Sequence, residues 1–212
     1  MPRTVRVCTR LLLVVALAGC MEGKDPKLKE PISENFDSGR LNLELWRATL
    51  DVYEVRDGAL FVEGAKNHPM WLKRRIPCDV KIDFVTWSDS TEGDIKVEVF
   101  GDGKSSADDE GSYVGTGYVF IMGGWRNTVN TIARRDEHEG RMVEENETRV
   151  ERGRRYRWSI RVRDGSIEWY VDGRLFLKIE DQDPLCGPGN DHFAFSNWGT
   201  PVHFDELSIV PL

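Results

Sequence analysis

Between residues 158 and 179 the chain reads WSIRVRDGSIEWYVDGRLFLKI, and almost every second position is apolar. Trp158, Ile160 and Val162 share one side of an extended chain, with Ser159, Arg161 and Arg163 on the other. Asp164-Gly165 interrupts the pattern, Ile167, Trp169 and Val171 resume it, and Asp172-Gly173 interrupts it again before Leu175, Leu177 and Ile179. A period of two marks a half-buried strand, and Asp-Gly between such runs marks a two-residue hairpin whose turn needs positive φ at both positions. The same grammar recurs over 52–64, 80–89, 94–103, 115–124, 192–199 and 201–212. Roughly a dozen short strands separated by turn signals predict an all-β chain folded as an antiparallel two-sheet sandwich. One stretch departs from this, DEHEGRMVEENETRVERG at 136–153, which is polar throughout and predicts a long hairpin loop or a surface turn of helix.

The N-terminus follows different rules. MPRTVRVCTR holds three arginines and no acid, LLLVVALA is apolar but too short to span a bilayer, and small residues follow. This is the layout of a secretory signal over residues 1–19. Its ending, Leu17-Ala18-Gly19-Cys20, resembles the lipobox of bacterial lipoproteins. The resemblance implies cleavage before Cys20 and lipidation of its sulfur and amine, with palmitate among the acyl chains. It also implies membrane anchoring through Cys20 in the bacterial cell envelope. Met21, where an aspartate is absent, points to the outer membrane. Residues 20–33 are rich in Lys, Glu, Asp and Pro and predict a flexible tether. The uninterrupted remainder, 34–212, predicts a single domain with a core large enough to be stable alone.

Loss of residues 1–19 removes Arg3, Arg6 and Arg10 and no acid, taking the formal charge from −7 to −10. Such an acidic chain has no electrostatic reason to seek nucleic acid. With Cys8 in the leader and Cys20 lipidated, Cys78 and Cys186 remain, and an oxidising envelope lets them pair or stay as separate buried thiols.

At the C-terminal half, Tyr156, the Val171-Asp172-Gly173 turn and the final FDELSI run, Phe204 to Ile209, resemble a concanavalin A-like or laminin-G-like jelly roll. The opening NFDSGRLNLELWRATLDVYEVRDGALFVEG resembles the start of the same domains, where the first strand lies beside the last. The resemblance implies a jelly-roll sandwich and leaves activity open, because many functions share that fold. It also implies a structural Ca²⁺ where first and last strands meet, held by Asp37 and Asp205, whose hard oxygen ligands suit that ion.

Catalytic signatures are scarce. The E-x-D-x-E strand of β-glucan-cleaving members of the fold is absent; Asp94, Glu98 and Asp102 share a face but lie about 13 Å apart along a strand. GDGKSS at 101–106 lacks the first glycine of a phosphate-binding loop, and no serine occupies a G-x-S-x-G elbow. His68, His138, His192 and His203 have no zinc-ligand spacing. The unusual segment is GGWRNTVNTIARRDEH, 123–138, where two glycines end a strand, Trp125, Arg126 and Asn127 form a turn, and Asn130, Ile132 and Arg134 share a face of the next strand. Were that face open, Asn130, Arg134, Trp125, Arg126, Asn127 and His138 would offer rings and hydrogen-bonding groups suited to sugars, with Trp87, Asn197 and Trp198 adding more. The same residues also fit a plain strand-to-strand corner. The reading is therefore a lipid-anchored envelope module that binds a glycan without catalysis. One alternative is a glycoside hydrolase or polysaccharide lyase using Glu98 with Asp136 or Glu137. The other is an envelope assembly or protein-binding module, marked by an exposed apolar patch.

Cys20→Ser is expected to abolish labelled-palmitate incorporation in a bacterial host and to move the protein from the membrane to the soluble fraction. Unchanged labelling would remove the lipobox reading.

Overall fold

The computed structural model describes residues 25–108 and 115–212. The leader and Cys20 lie outside the described residues. Fifteen strands run in chain order: β1 Ile32–Glu34, β2 Trp46–Ala48, β3 Tyr53–Arg56, β4 Ala59–Val62, β5 Met70–Leu72, β6 Val80–Ser88, β7 Ile95–Gly101, β8 Tyr118–Gly123, β9 Val129–Arg134, β10 Arg141–Glu145, β11 Tyr156–Arg163, β12 Ser166–Val171, β13 Arg174–Glu180, β14 His192–Ser196 and β15 Val202–Pro211. They form two antiparallel sheets. One has the order β13-β12-β11-β6-β15-β4-β3, with β1 also paired to β15; the other has the order β10-β9-β8-β7-β14-β5-β2.

The predicted hairpins form as the turn chemistry requires. Asp57-Gly58, Asp164-Gly165 and Asp172-Gly173 all adopt positive φ at both positions. Alternation then sends Trp158, Ile160 and Val162 of β11 and Ile167 and Trp169 of β12 into the space between the sheets. There they meet Phe84, Phe193, Phe195 and Phe204, and Trp158 packs on Trp169 with ring centroids 4.3 Å apart. The polar segment from 136 resolves into a loop followed by β10, which hairpins back onto β9.

The first strand does lie beside the last, with Ile32 opposite Ile209 and Glu34 opposite Leu207. That pairing, and contacts upstream of it, correct the expected tether. Lys27 bridges Arg75, the Leu28 N–H donates to the Arg75 carbonyl at 2.8 Å, and Asp25 pairs with Arg47. The chain from Asp25 to Leu28 and from Ile32 onward is therefore fastened to the domain, while most side chains of the segment stay exposed.

Cys78, just before β6 in the first sheet, forms a disulfide with Cys186, which precedes β14 in the second; their Cα atoms are 5.4 Å apart. The bond staples the two sheets across 108 residues of sequence. Closing so long a loop restricts the unfolded chain strongly, so the paired Cys78→Ser, Cys186→Ser variant is expected to lose about 3 kcal/mol of stability. That corresponds to a fall in Tm of roughly 6–12 °C for a domain of this size, readable by calorimetry.

Candidate functional site

Side chains on the outward face of the β7-β8-β9 sheet are buried although no third sheet covers them. Lys96, Glu98, Val119, Ile121, Thr131, Ala133, Ser196 and Trp71 are each at most 5% exposed. Connecting loops supply the cover. Glu98 accepts the Thr116 N–H at 2.7 Å, the Thr116 hydroxyl at 2.9 Å and the Gly117 N–H at 2.7 Å, fixing the end of the connection between β7 and β8. The Trp71 indole donates to the Ser105 carbonyl at 2.9 Å. At one end of the face the cover stops, leaving a cleft of about 980 Å³.

A strained turn forms part of its wall. Trp125, Arg126 and Asn127 have φ of 51°, 60° and 61°, three consecutive non-glycine residues in the left-handed region. Each such residue costs about 1–2 kcal/mol, so the surroundings must hold it. Asn127 does much of this. Its amide donates to the Thr91 and Val150 carbonyls at 2.9 and 2.8 Å, and its oxygen accepts the Val150 N–H at 2.8 Å. Trp125 is thereby fixed, with the Arg141 guanidinium 4.0 Å from its ring centroid and His138 edge-on at 5.4 Å.

Trp198 supplies a second aromatic surface, 48% exposed. Its loop is fastened from beneath by the fully buried Asn197, which accepts the Ala65 N–H at 3.0 Å and donates to the Thr200 carbonyl. The Trp198 N–H donates to the Asp94 carboxylate, and the Trp198 carbonyl accepts the Lys66 N–H at 2.7 Å.

Charged groups share the cleft with these aromatics. The Lys96 ammonium donates to Asn67 at 2.8 Å and to Glu137 at 2.7 Å. Asp94 has φ of 67°, and its N–H donates to the Gly123 carbonyl at 2.8 Å. Gly93 must be glycine here, since a Cβ would sit 2.4 Å from that same Gly123 oxygen. Burial raises the Asp94 pKa above the usual carboxylate range, the Glu137 charge adds to the rise, and Lys96 and the Trp198 N–H oppose it. Asp136 moves the other way, lowered chiefly by the backbone N–H groups of His138 and Glu139.

Of the residues the sequence suggested, Trp125, Arg126, His138 and Trp198 line this cleft. The others do not. Asn130 and Arg134 lie on the side of β9 that faces the partner sheet, as the buried Ile132 between them shows. Asn130 is fully buried and serves the backbone, accepting the Gly123 N–H at 2.8 Å and donating to the Glu145 and Thr148 carbonyls at 3.0 Å. Arg134 pairs with Asp181 at 3.0 Å, beside the Tyr118 hydroxyl. Asn127 and Asn197 are the internal fasteners described above. Trp87 is on the other sheet, stacked between His203 at 4.5 Å and Arg155 at 3.9 Å. Glu98, once a candidate acid, is only 2% exposed and anchors a loop, whereas Glu137 and Asp136 do line the cleft. Asp94, Lys96, Asn67 and Glu92 went unrecognised as cleft residues. The alternation in DIKVEV put Asp94 and Lys96 on one face, but nothing in the sequence said that loops would fold over that face.

The calcium pair is close enough for the Asp37 charge to raise the Asp205 pKa, after burial and Glu206. Asp37 accepts the Asn35 amide at 2.6 Å. Among the described residues no group of three or more His, Cys, Asp or Glu side chains gathers round a possible ion. The structure thus brings the two carboxylates near each other with no third such side chain beside them among the described residues.

No family model matches the chain. No curated protein matches it either. Solved structures share its fold. The VIP36 exoplasmic/lumenal domain in its Ca²⁺/Man3GlcNAc-bound form superposes with a TM-score of 0.63 and 10% identity, covering 85% of this chain and 88% of that one. The carbohydrate-binding module CBM66 from Bacillus subtilis gives 0.59 at 11% identity, covering 78% and 94%. An endo-acting O-glycanase structure from the human gut microbiota gives 0.59 at 13%, covering 85% and 98%. The fold is thus that of the concanavalin A-like sandwiches, and identities this low carry the likeness no further.

Asp94 gives the site a pH signature. A carboxyl whose folded pKa lies above its unfolded value adds stability in acid and loses it as pH rises through the folded value. Wild type should therefore gain in Tm relative to Asp94→Asn as the buffer moves from about pH 7.5 to about pH 4.5. A difference in Tm that stays constant across the series would contradict the assignment.

Proposed function

We propose that the cleft binds a glycan and that the chain is a non-catalytic module of the bacterial cell envelope, lipid-anchored in the outer membrane. The carrying observation is the half-exposed Trp198 indole sharing with Trp125 a cleft of about 980 Å³ furnished with Asn67, Lys96 and carboxylates. Sugar CH faces stack on such rings while hydroxyls take the polar groups, and the volume lies at the upper end of small-ligand sites. Glycan ligands of fold neighbours such as the Man3GlcNAc-bound VIP36 domain support the reading at the level of fold.

A second reading, a glycoside hydrolase or polysaccharide lyase, is favoured by one feature: Asp94 and Glu137 share the cleft, and burial biases Asp94 toward its protonated form. A general acid needs that bias.

The test is binding of the mature Cys20→Ser chain to a glycan array and to insoluble polysaccharides. Trp198→Ala should weaken binding at least about tenfold while moving Tm by no more than about 2 °C, as expected of an exposed side chain. New reducing ends from the bound glycan, abolished by Asp94→Asn, would favour the enzyme. An absence of binding across the array would overturn the glycan reading.

A further inference from the structure

The charges around the cleft do not balance. Its carboxylates are Glu92, Asp94, Asp136 and Glu137, and its permanent cations are Lys96 and Arg126. Lys96 and Glu137 neutralise each other at 2.7 Å, with 6% and 14% of their side chains exposed. Asn67 takes a further Lys96 proton at 2.8 Å, so this lysine is poorly placed to receive an anion. Three carboxyl groups, Asp94 among them biased by burial toward its protonated form, then face one lining guanidinium, that of the exposed Arg126 on the left-handed turn. Arg141, over Trp125, is paired with Glu144 at 2.9 Å. His138 is mostly exposed and lies 3.8 Å from Glu137, a carboxylate already in use.

The position of Asp94 makes the imbalance specific. Its carboxylate receives the backbone N–H of Trp198 and therefore sits at the base of the exposed indole. Asp94 and the Trp198 indole thus line the same cleft. Asp136 has one oxygen committed to the N–H groups of His138 at 2.7 Å and Glu139 at 3.1 Å, which keep it ionised. A partly desolvated carboxylate beside other negative charge is stabilised by an incoming cation and destabilised further by an anion.

Resting on the glycan reading above, we infer that the cleft selects sugars carrying a protonated amine, stacking a hexosamine ring on Trp198 and taking its ammonium at Asp94 with Asp136 and Glu92 nearby. Acetylated amino sugars, which have lost the charge, bind more weakly. Uronic, sulfated or sialylated glycans are rejected, because they bring like charge into a confined acidic space. A lysine-rich peptide shares the ammonium but lacks the flat polyhydroxylated face that the indole fits.

The experiment is calorimetric titration of the mature Cys20→Ser chain at low salt with four probes: a deacetylated chitosan oligomer, the fully acetylated oligomer of equal length, an oligogalacturonate and an oligolysine. The chitosan oligomer is expected to bind at least tenfold more tightly than the acetylated one. Glu92→Gln with Asp136→Asn should narrow that ratio to under threefold, and 0.5 M NaCl should narrow it in wild type. Asn at 136 keeps the oxygen that the turn uses. Equal affinity for the two oligomers, or tightest binding of the oligogalacturonate, overturns the charge selection and leaves the glycan reading standing. Oligolysine bound as tightly as chitosan overturns recognition of the sugar ring. No binding of any oligosaccharide overturns both inferences together.

Discussion

A lysine ammonium buried on the outer face of a β-sheet has to be paired, because desolvating a lone charge costs several kcal/mol. Lys96 meets that demand with Asn67 from the loop after β4 and Glu137 from the loop after β9. Two loops distant in sequence are therefore drawn over the same strand. Glu98, two residues along, does the same for the connection into β8 through Thr116 and Gly117. The strand that builds the floor of the cleft thus also determines which loops make its rim. A face that alternation alone would leave to solvent becomes partly roofed, and the cleft is where the roof ends.

Rigidity follows from the same economy of partners. The Trp125 turn is unfavourable in isolation, yet Asn127, Gly123 and Asn130 tie it to Thr91, Val150 and β10 through hydrogen bonds away from solvent. Trp198 rests on Asn197 and Asp94 in a comparable way. The backbone that carries each aromatic is held by buried polar groups, so a ligand need not order the chain there on arrival. Their partners are main-chain atoms, which a substitution elsewhere cannot remove without moving the chain itself.

These arrangements explain what the sequence disclosed and what it hid. Strands, hairpins and sandwich were legible because they rest on local rules: alternation in β11 to β13, and Asp-Gly pairs that reach positive φ more readily than most residues. The pairing of the first strand with the last was legible through resemblance. The aromatic part of the cleft could be found because Trp125 and Trp198 stand out of phase with aliphatic neighbours. The asparagines misled, since an amide at a strand end looks the same whether it awaits a hydroxyl or satisfies a buried carbonyl. Asn127, Asn130 and Asn197 all do the latter, and only their three-dimensional surroundings say so. Trp87 misled similarly, because its stacking partners come from far along the chain, His203 from β15 and Arg155 from the loop before β11. Asp94 and Lys96 were hidden because loop closure over their face depends on long-range pairing that no local pattern encodes.

The disulfide between Cys78 and Cys186 carries a further consequence. It encloses β6 through β13, including the turn that carries Trp125 and most of the cleft-lining loops. A protease that nicks any one of those loops leaves two pieces joined by a covalent bond, with each strand still paired to its neighbours. Chain integrity and molecular integrity thereby become separable. The backbone can be cut at a cleft-lining loop and the two pieces of the sandwich remain covalently joined.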